Sequence, residues 1–122
     1  SDVSMTLDDP SNGLSWTLTN LSQYEFFHGN GGYASLQVCL EDGWYDVPSQ
    51  FSRYHTDEGH TLPPGESYSS VFPLEPYGDL PAGNYRIVFP MTQEGGSQPR
   101  EVYSAVCFLI LEDGTFAQES LV

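Results

Sequence analysis

From Leu14 to Thr19 the chain alternates without a break, with Leu14, Trp16 and Leu18 on one parity and Ser15, Thr17 and Thr19 on the other. A period of two is the signature of a strand with one buried and one wet face, because successive side chains of an extended backbone point to opposite sides. The same alternation recurs in short segments punctuated by Gly, Pro, Asn and Asp. No segment keeps a 3.6-residue period long enough for a helix. The chain therefore reads as all-β.

Val3, Met5 and Leu7 form a first alternating strand, stopped by Pro10 and a turn at Asn12-Gly13. After the Leu14 strand come a short strand ending near Phe27, a glycine-rich hairpin loop at 28–32, and a long strand over 33–41. A tight turn at Asp42-Gly43 leads into a strand carrying Trp44. The polar segment 49–60 has no period and reads as a loop or ragged edge strand. The turn in "LPPGES" then opens a strand with Tyr68, Phe72 and Leu74 on one parity, and "EPYGDLPAG" reads as a compact turn or single helical turn between sheets. Tyr85, Ile87 and Phe89 share a core parity. "REVYSAVCFLI" is expected to be the last strand, central enough to be covered on much of both faces. Seven to nine strands in this rhythm predict a two-sheet Greek-key sandwich, and 122 residues predict a single domain over 1–122 with its own core.

Charge narrows the partners. Seventeen acidic residues face only three arginines (Arg53, Arg86, Arg100) and no lysine, a formal net charge of -14. Three scattered arginines cannot release enough counterions to hold a phosphate backbone, so nucleic acid is excluded as a partner. The same field repels anionic membrane surfaces. No apolar run approaches the ~20 residues of a membrane span, so no membrane insertion is expected of this segment. The chain starts without Met or an apolar leader, which reads as a soluble piece of a longer or processed protein.

The segment "LPAGNYRIV" places Gly83 two residues before Tyr85 at the mouth of an apolar strand. This spacing predicts a tyrosine corner, a phenol packed at the core edge with its hydroxyl bonded to backbone a few residues upstream. Gly83 is expected to supply the backbone freedom such a corner needs. Taken together, "LTNLSQYEFFHGNGGYASLQVCLEDGWYDVP", "LPPGESYSSVFPL" and "YGDLPAGNYRIV" resemble the bacterial immunoglobulin-like domains of extracytoplasmic proteins of Gram-positive bacteria. The likeness spans residues 3 to 112 and lies in turns and core positions. It implies an immunoglobulin-like fold and says almost nothing of activity.

An antibody-type domain would carry a cysteine two residues after the corner tyrosine, where this chain has Ile87. Its two cysteines sit elsewhere. Parity sends Cys39 outward between Val38 and Leu40, and Cys107 outward between Val106 and Phe108, with the corner strand between their two strands. Strands two places apart lie about 9 to 10 Å from each other, beyond the ~7 Å limit for a disulfide. Two thiols are expected.

Chemistry has few footholds. His55, Asp57, Glu58 and His60 could offer metal-ligand atoms, yet their spacing matches no zinc signature. Asp8, Asp9 and Asn12, or Glu112 and Asp113, lack the spacing of a calcium loop and read as turn residues. Asn20-Leu21-Ser22 matches the glycosylation acceptor pattern. Nucleophile elbows, metalloprotease helices and phosphate-binding glycine loops are missing from the sequence, so neither catalysis nor a cofactor is expected. The expected role is a non-catalytic extracytoplasmic module, secreted or anchored at the cell surface, monomeric as a domain, that spaces other domains or binds a protein. A carbohydrate-binding module is the first alternative, with Tyr24, Phe26, Phe27, Tyr33, Tyr45 and Tyr54 as candidate sugar-stacking aromatics. A protease-inhibitor-like or sensor domain is the second.

Overall fold

The computed structural model describes residues 3–8, 14–29, 34–48, 59–72, 74, 77–94 and 100–118. The expected turn at Asn12-Gly13, the glycines at 31–32, and Tyr33, Tyr54, His55, Asp57 and Glu58 lie outside them. Ten strands appear among the described residues: β1 (Val3–Leu7), β2 (Leu14–Asn20), β3 (Phe26–His28), β4 (Ser35–Leu40), β5 (Gly43–Asp46), β6 (His60–Leu62), β7 (Ser67–Phe72), β8 (Gly83–Gln93), β9 (Arg100–Ile110) and β10 (Phe116–Gln118). The count exceeds the expected seven to nine because β6 and β10, three residues each, add to the strands expected from the sequence. Such short strands leave no room for an alternation to be read.

The strands form two antiparallel sheets. The small one runs β1-β2-β7. The large one runs β10-β9-β8-β3-β6, with the β4–β5 hairpin also joined to β8. Strand β8 thus serves two neighbours on one side, pairing Tyr85 with Val38 of β4 near its start and Thr92 with Phe27 of β3 near its end. Its other side pairs along its full length with β9, from Gly83 opposite Ile110 to Gln93 opposite Arg100.

One core lies between the sheets. From the small sheet it takes Val3, Met5, Leu7, Leu14, Trp16, Leu18 and Phe72, and from the large one Phe26, Leu36, Leu62, Tyr85, Ile87, Phe89, Met91, Phe108 and Ile110. The parities expected for β1, β2 and β8 are those observed. The outer face of the small sheet is paved with hydroxyls: Ser4, Thr6, Ser15, Thr17, Thr19, Ser67 and Ser69, with Val71. Cross-strand pairs there bond directly, Thr17 Oγ1 to Ser69 Oγ at 2.9 Å and Thr19 Oγ1 to Ser67 Oγ at 3.0 Å.

Two expectations need correction. The β4–β5 turn sits one residue earlier than expected, since Leu40 pairs with Gly43 and the loop is Glu41-Asp42. Gly43 opens β5 at a φ of 145°, a conformation that L side chains rarely adopt. Strand β9 is neither last nor covered on both faces: β10 follows it, and Tyr103 and Ala105 on its outer side are exposed. Gly83, the first residue of β8, stands at a φ of 159°, which L side chains rarely adopt, so the corner strand opens on a residue with a glycine's backbone freedom.

Both cysteines face outward on the large sheet as thiols. Cys39 lies on β4 and Cys107 on β9 opposite Arg86, with β8 between them.

Candidate functional site

Asn20, at the end of β2, is wholly buried, and every polar group it owns is engaged. Its Nδ2 donates to the carbonyls of Tyr24 at 2.7 Å and Leu62 at 3.0 Å, and its Oδ1 accepts from the Ser22 backbone at 2.9 Å and the Ser22 hydroxyl at 2.7 Å. Its backbone pairs with the β6–β7 turn, through Asn20 N to Glu66 O at 3.0 Å and Gly65 N to Asn20 O at 2.8 Å. The acceptor pattern at 20–22 is therefore a structural asparagine, out of reach of a glycosyltransferase.

Tyr85 meets the description of a tyrosine corner. Its ring is buried and stacks on Phe108 with centroids 5.8 Å apart, while its hydroxyl donates to Pro81 O at 2.7 Å. Burial pushes the phenol pKa up, which keeps the proton in place for that bond.

A second buried polar group had no signal in the sequence. His28 is 3% exposed at the inner end of β3 and packs among Tyr68, Phe89 and His60. Its Nδ1 lies 2.7 Å from Gly29 O, and a carbonyl only accepts, so Nδ1 carries the proton and Nε2 is the bare nitrogen. Burial, with the opposing effect of the Gly29 bond and a further push from His60, holds His28 below the ordinary histidine pKa. Its Nε2 and Trp16 Nε1 are the two buried side-chain atoms without a hydrogen-bond partner among the described residues. Trp16 packs on the same Phe89 and Tyr68.

The pairing of His28 with His60 across β3 and β6 invites a metal reading, which the ring geometry refuses. An imidazole binds a metal through a lone pair in its own plane, and these rings are stacked at 20° with centroids 5.4 Å apart. Two near-parallel planes share no point close to both nitrogens. No group of three or more metal-ligating side chains occurs among the described residues. Of the four candidates at 55, 57, 58 and 60, only His60 is described.

The candidate sugar-stacking aromatics scatter. Phe26 is core, 1% exposed, which removes it from the set. Tyr24 is half-buried in the β2–β3 connection. Phe27 and Tyr45 are exposed but on different parts of the sheet, Phe27 toward Thr92 of β8 and Tyr45 at the β5 edge. Burial and Asp42 raise the Tyr45 phenol pKa, the hydrogen bond to Asp42 being the larger cause.

The outer face of the large sheet instead assembles groups that sequence reasoning did not single out. Side chains at 37, 46 and 86 share one row across β5, β4 and β8, because Gln37 pairs with both Asp46 and Arg86. Gln37 Nε2 donates to Asp46 Oδ1 at 3.0 Å, and Arg86 Nε donates to Gln37 Oε1 at 2.7 Å. The Arg86 guanidinium lies over the Trp44 ring, 4.3 Å from its centroid. Trp44, Cys39, Asn84 and Leu109 make the neighbouring row. Period two alone could have predicted this grouping, had the register between strands been known.

Hollows lined by described residues open at the ends of the sandwich. One of about 220 Å³ between β1, β3 and β9 is lined by Val3, Phe26, Met91 and Val102 with Gln93 and Arg100, smaller than common ligand sites. Another, about 460 Å³, is bordered by Asp79, Glu112, Asp113 and Phe116. Asp113 Oδ1 there accepts from the Thr115 hydroxyl at 2.6 Å and backbone at 3.0 Å, bonds that hold its carboxyl below the ordinary value. It is a turn residue, as the sequence suggested.

Comparison with known proteins finds that the model of the family described as bacterial Ig-like domain matches residues 2–103. No curated protein and no solved structure matches the chain.

Proposed function

Since the chain belongs to the bacterial Ig-like domain family, we propose that it works as a non-catalytic module outside the cytoplasm, at the bacterial cell surface. It spaces other domains or docks a protein partner there. The observation that carries this reading is where the buried polar groups go. Asn20 and Tyr85 spend theirs on joining strands and closing a corner, and the neutral His28 tautomer is fixed by its own strand end. Catalysis needs a nucleophile, acid or base held within reach of another such group at an accessible point. Asn20 and Tyr85 serve scaffolding instead. Members of this family are commonly extracellular, and no helix among the described residues is long and apolar enough to cross a membrane.

The test is protease shaving of intact producing cells, followed by immunodetection of the domain. Release or loss of the epitope from intact cells supports the reading. An epitope that is cleaved only after lysis overturns the surface location.

A further inference from the structure

We propose that the outer face of the large sheet at Trp44, Arg86, Gln37, Asp46 and Asn84 is a binding site for a neutral glycan. The inference rests on the surface-module reading and names the chemistry of the partner.

Three properties of the patch point to this class of ligand. The first is preorganisation. Each polar side chain is aimed by its neighbour, Asp46 holding the Gln37 amide and Gln37 holding Arg86, so little rotamer entropy is lost when a ligand arrives. Arg86 has five N–H donors and spends Nε on Gln37. The outward end of its fork, the second Asp46 oxygen and the exposed Asn84 amide then present donors and acceptors on one surface. That is the mixture a sugar's hydroxyls require, since each hydroxyl both donates and accepts.

The second property is the indole. Trp44 is half-buried at the edge hairpin, and a tryptophan ring offers an electron-rich face to the weakly positive C–H groups of a pyranose. Arg86 at 4.3 Å covers one face of the ring and fixes its plane, which leaves the opposite face to the sugar. The side chain paired with it across the hairpin, Cys39, is small, so it does not wall the ring in.

The third property is charge. The chain as a whole carries -14 and disfavours anionic polymers. Within the patch the Arg86 cation and the Asp46 anion are linked through one amide and cancel. A ligand here gains nothing from net charge of either sign and gains from hydroxyls and a C–H face.

Affinity electrophoresis of the purified domain through gels containing soluble β-glucan, xylan, galactomannan or amylose tests the assignment, with polygalacturonate as the anionic comparison. Retardation by at least one neutral polysaccharide is expected, weakened about tenfold or more by Trp44→Ala. Should Trp44→Ala unfold the hairpin, Asp46→Ala and Asn84→Ala at exposed positions carry the test, each weakening retardation severalfold with an unchanged melting temperature. Tyr103→Ala, on the same face but away from the patch, should leave retardation intact. Three results would overturn the assignment: retardation by none of the neutral polysaccharides, retardation insensitive to all three patch variants, or patch-dependent binding to a surface-protein extract alone. None of these outcomes bears on protease shaving, so the site and the surface location stand or fall separately.

Discussion

Asn20, the last residue of β2 in the small sheet, reaches Leu62 in the large one, donating through Nδ2 to the Leu62 carbonyl at 3.0 Å. The same side chain closes the connection that leaves β2, while the Asn20 backbone grips the turn that enters β7. Replacing Asn20 by Ala leaves two carbonyls without their donor and Ser22 without its acceptor. A buried orphan costs about 1–3 kcal/mol, and a total loss near 3 kcal/mol is expected from urea unfolding. Asn20→Asp should cost at least as much, because it aims a carboxylate at two carbonyl oxygens. A loss under half a kcal/mol for both would show that the bridge is dispensable.

The turn gripped by Asn20 makes its own prediction. Glu66 N bonds to Pro63 O at 3.1 Å, Pro64 stands at the first central position, and Gly65 follows at a φ of 82°. These are the marks of a type II turn, which requires positive φ at its second central residue. A Cβ added at Gly65 would meet nothing within 4 Å. Gly65→Ala should thus destabilise by backbone strain alone, ~1–2 kcal/mol, with Gly65→Asn less costly. Equal stability of the wild type and Gly65→Ala in thermal melts would refute the turn type.

For the corner, Tyr85→Phe keeps the stack on Phe108 and loses only the bond to Pro81 O. Its expected cost is ~1 kcal/mol, the net worth of one internal hydrogen bond. Tyr85→Ala also empties a core site and should cost ~3–5 kcal/mol, as large aromatic truncations do. An unchanged denaturation midpoint for Tyr85→Phe would defeat the corner.

Acid should weaken the fold through His28. Its folded pKa lies below the ordinary 6.5 because burial disfavours the imidazolium, so the unfolded chain takes up this proton first. Stability is therefore intact above pH 6.5 and falls as pH drops from there toward the lowered folded value. Unfolding midpoints compared at pH 7.5 and 5.0 should show the drop in the wild type and a smaller one in His28→Phe. If the two proteins lose stability in parallel, His28 is not the source.

What the sequence made legible was whatever depends on parity. Leu14, Trp16 and Leu18 could be sent inward, and Cys39 and Cys107 outward, because alternation needs only the strand itself. Phe26 and Phe27 defeated the same logic: adjacent aromatics in a three-residue strand give no phase, and the buried one was counted among surface candidates. His28 left no trace because a histidine's burial depends on the rings that arrive from β6, β7 and β8. The outer patch was hidden for a related reason. Trp44 and Arg86 are far apart in the chain, and their stacking follows from the register of β4 against β8, which no local pattern encodes.

The shared strand β8 also bears on the order in which the molecule assembles. Its pairing with β9 begins at Gln93 opposite Arg100, with only residues 94–99 to close, and can then zip outward along both strands. The small sheet must instead bring Leu14 to Phe72 across the whole of β3 to β6, and loop entropy grows with the length enclosed. Pulse-labelled amide exchange should accordingly protect β8 and β9 first and the β2–β7 ladder last; the reverse order would rule this path out. A chain still emerging from synthesis or export would meet this order backwards, with β1 and β2 waiting, apolar parity exposed, until β7 arrives to complete their sheet.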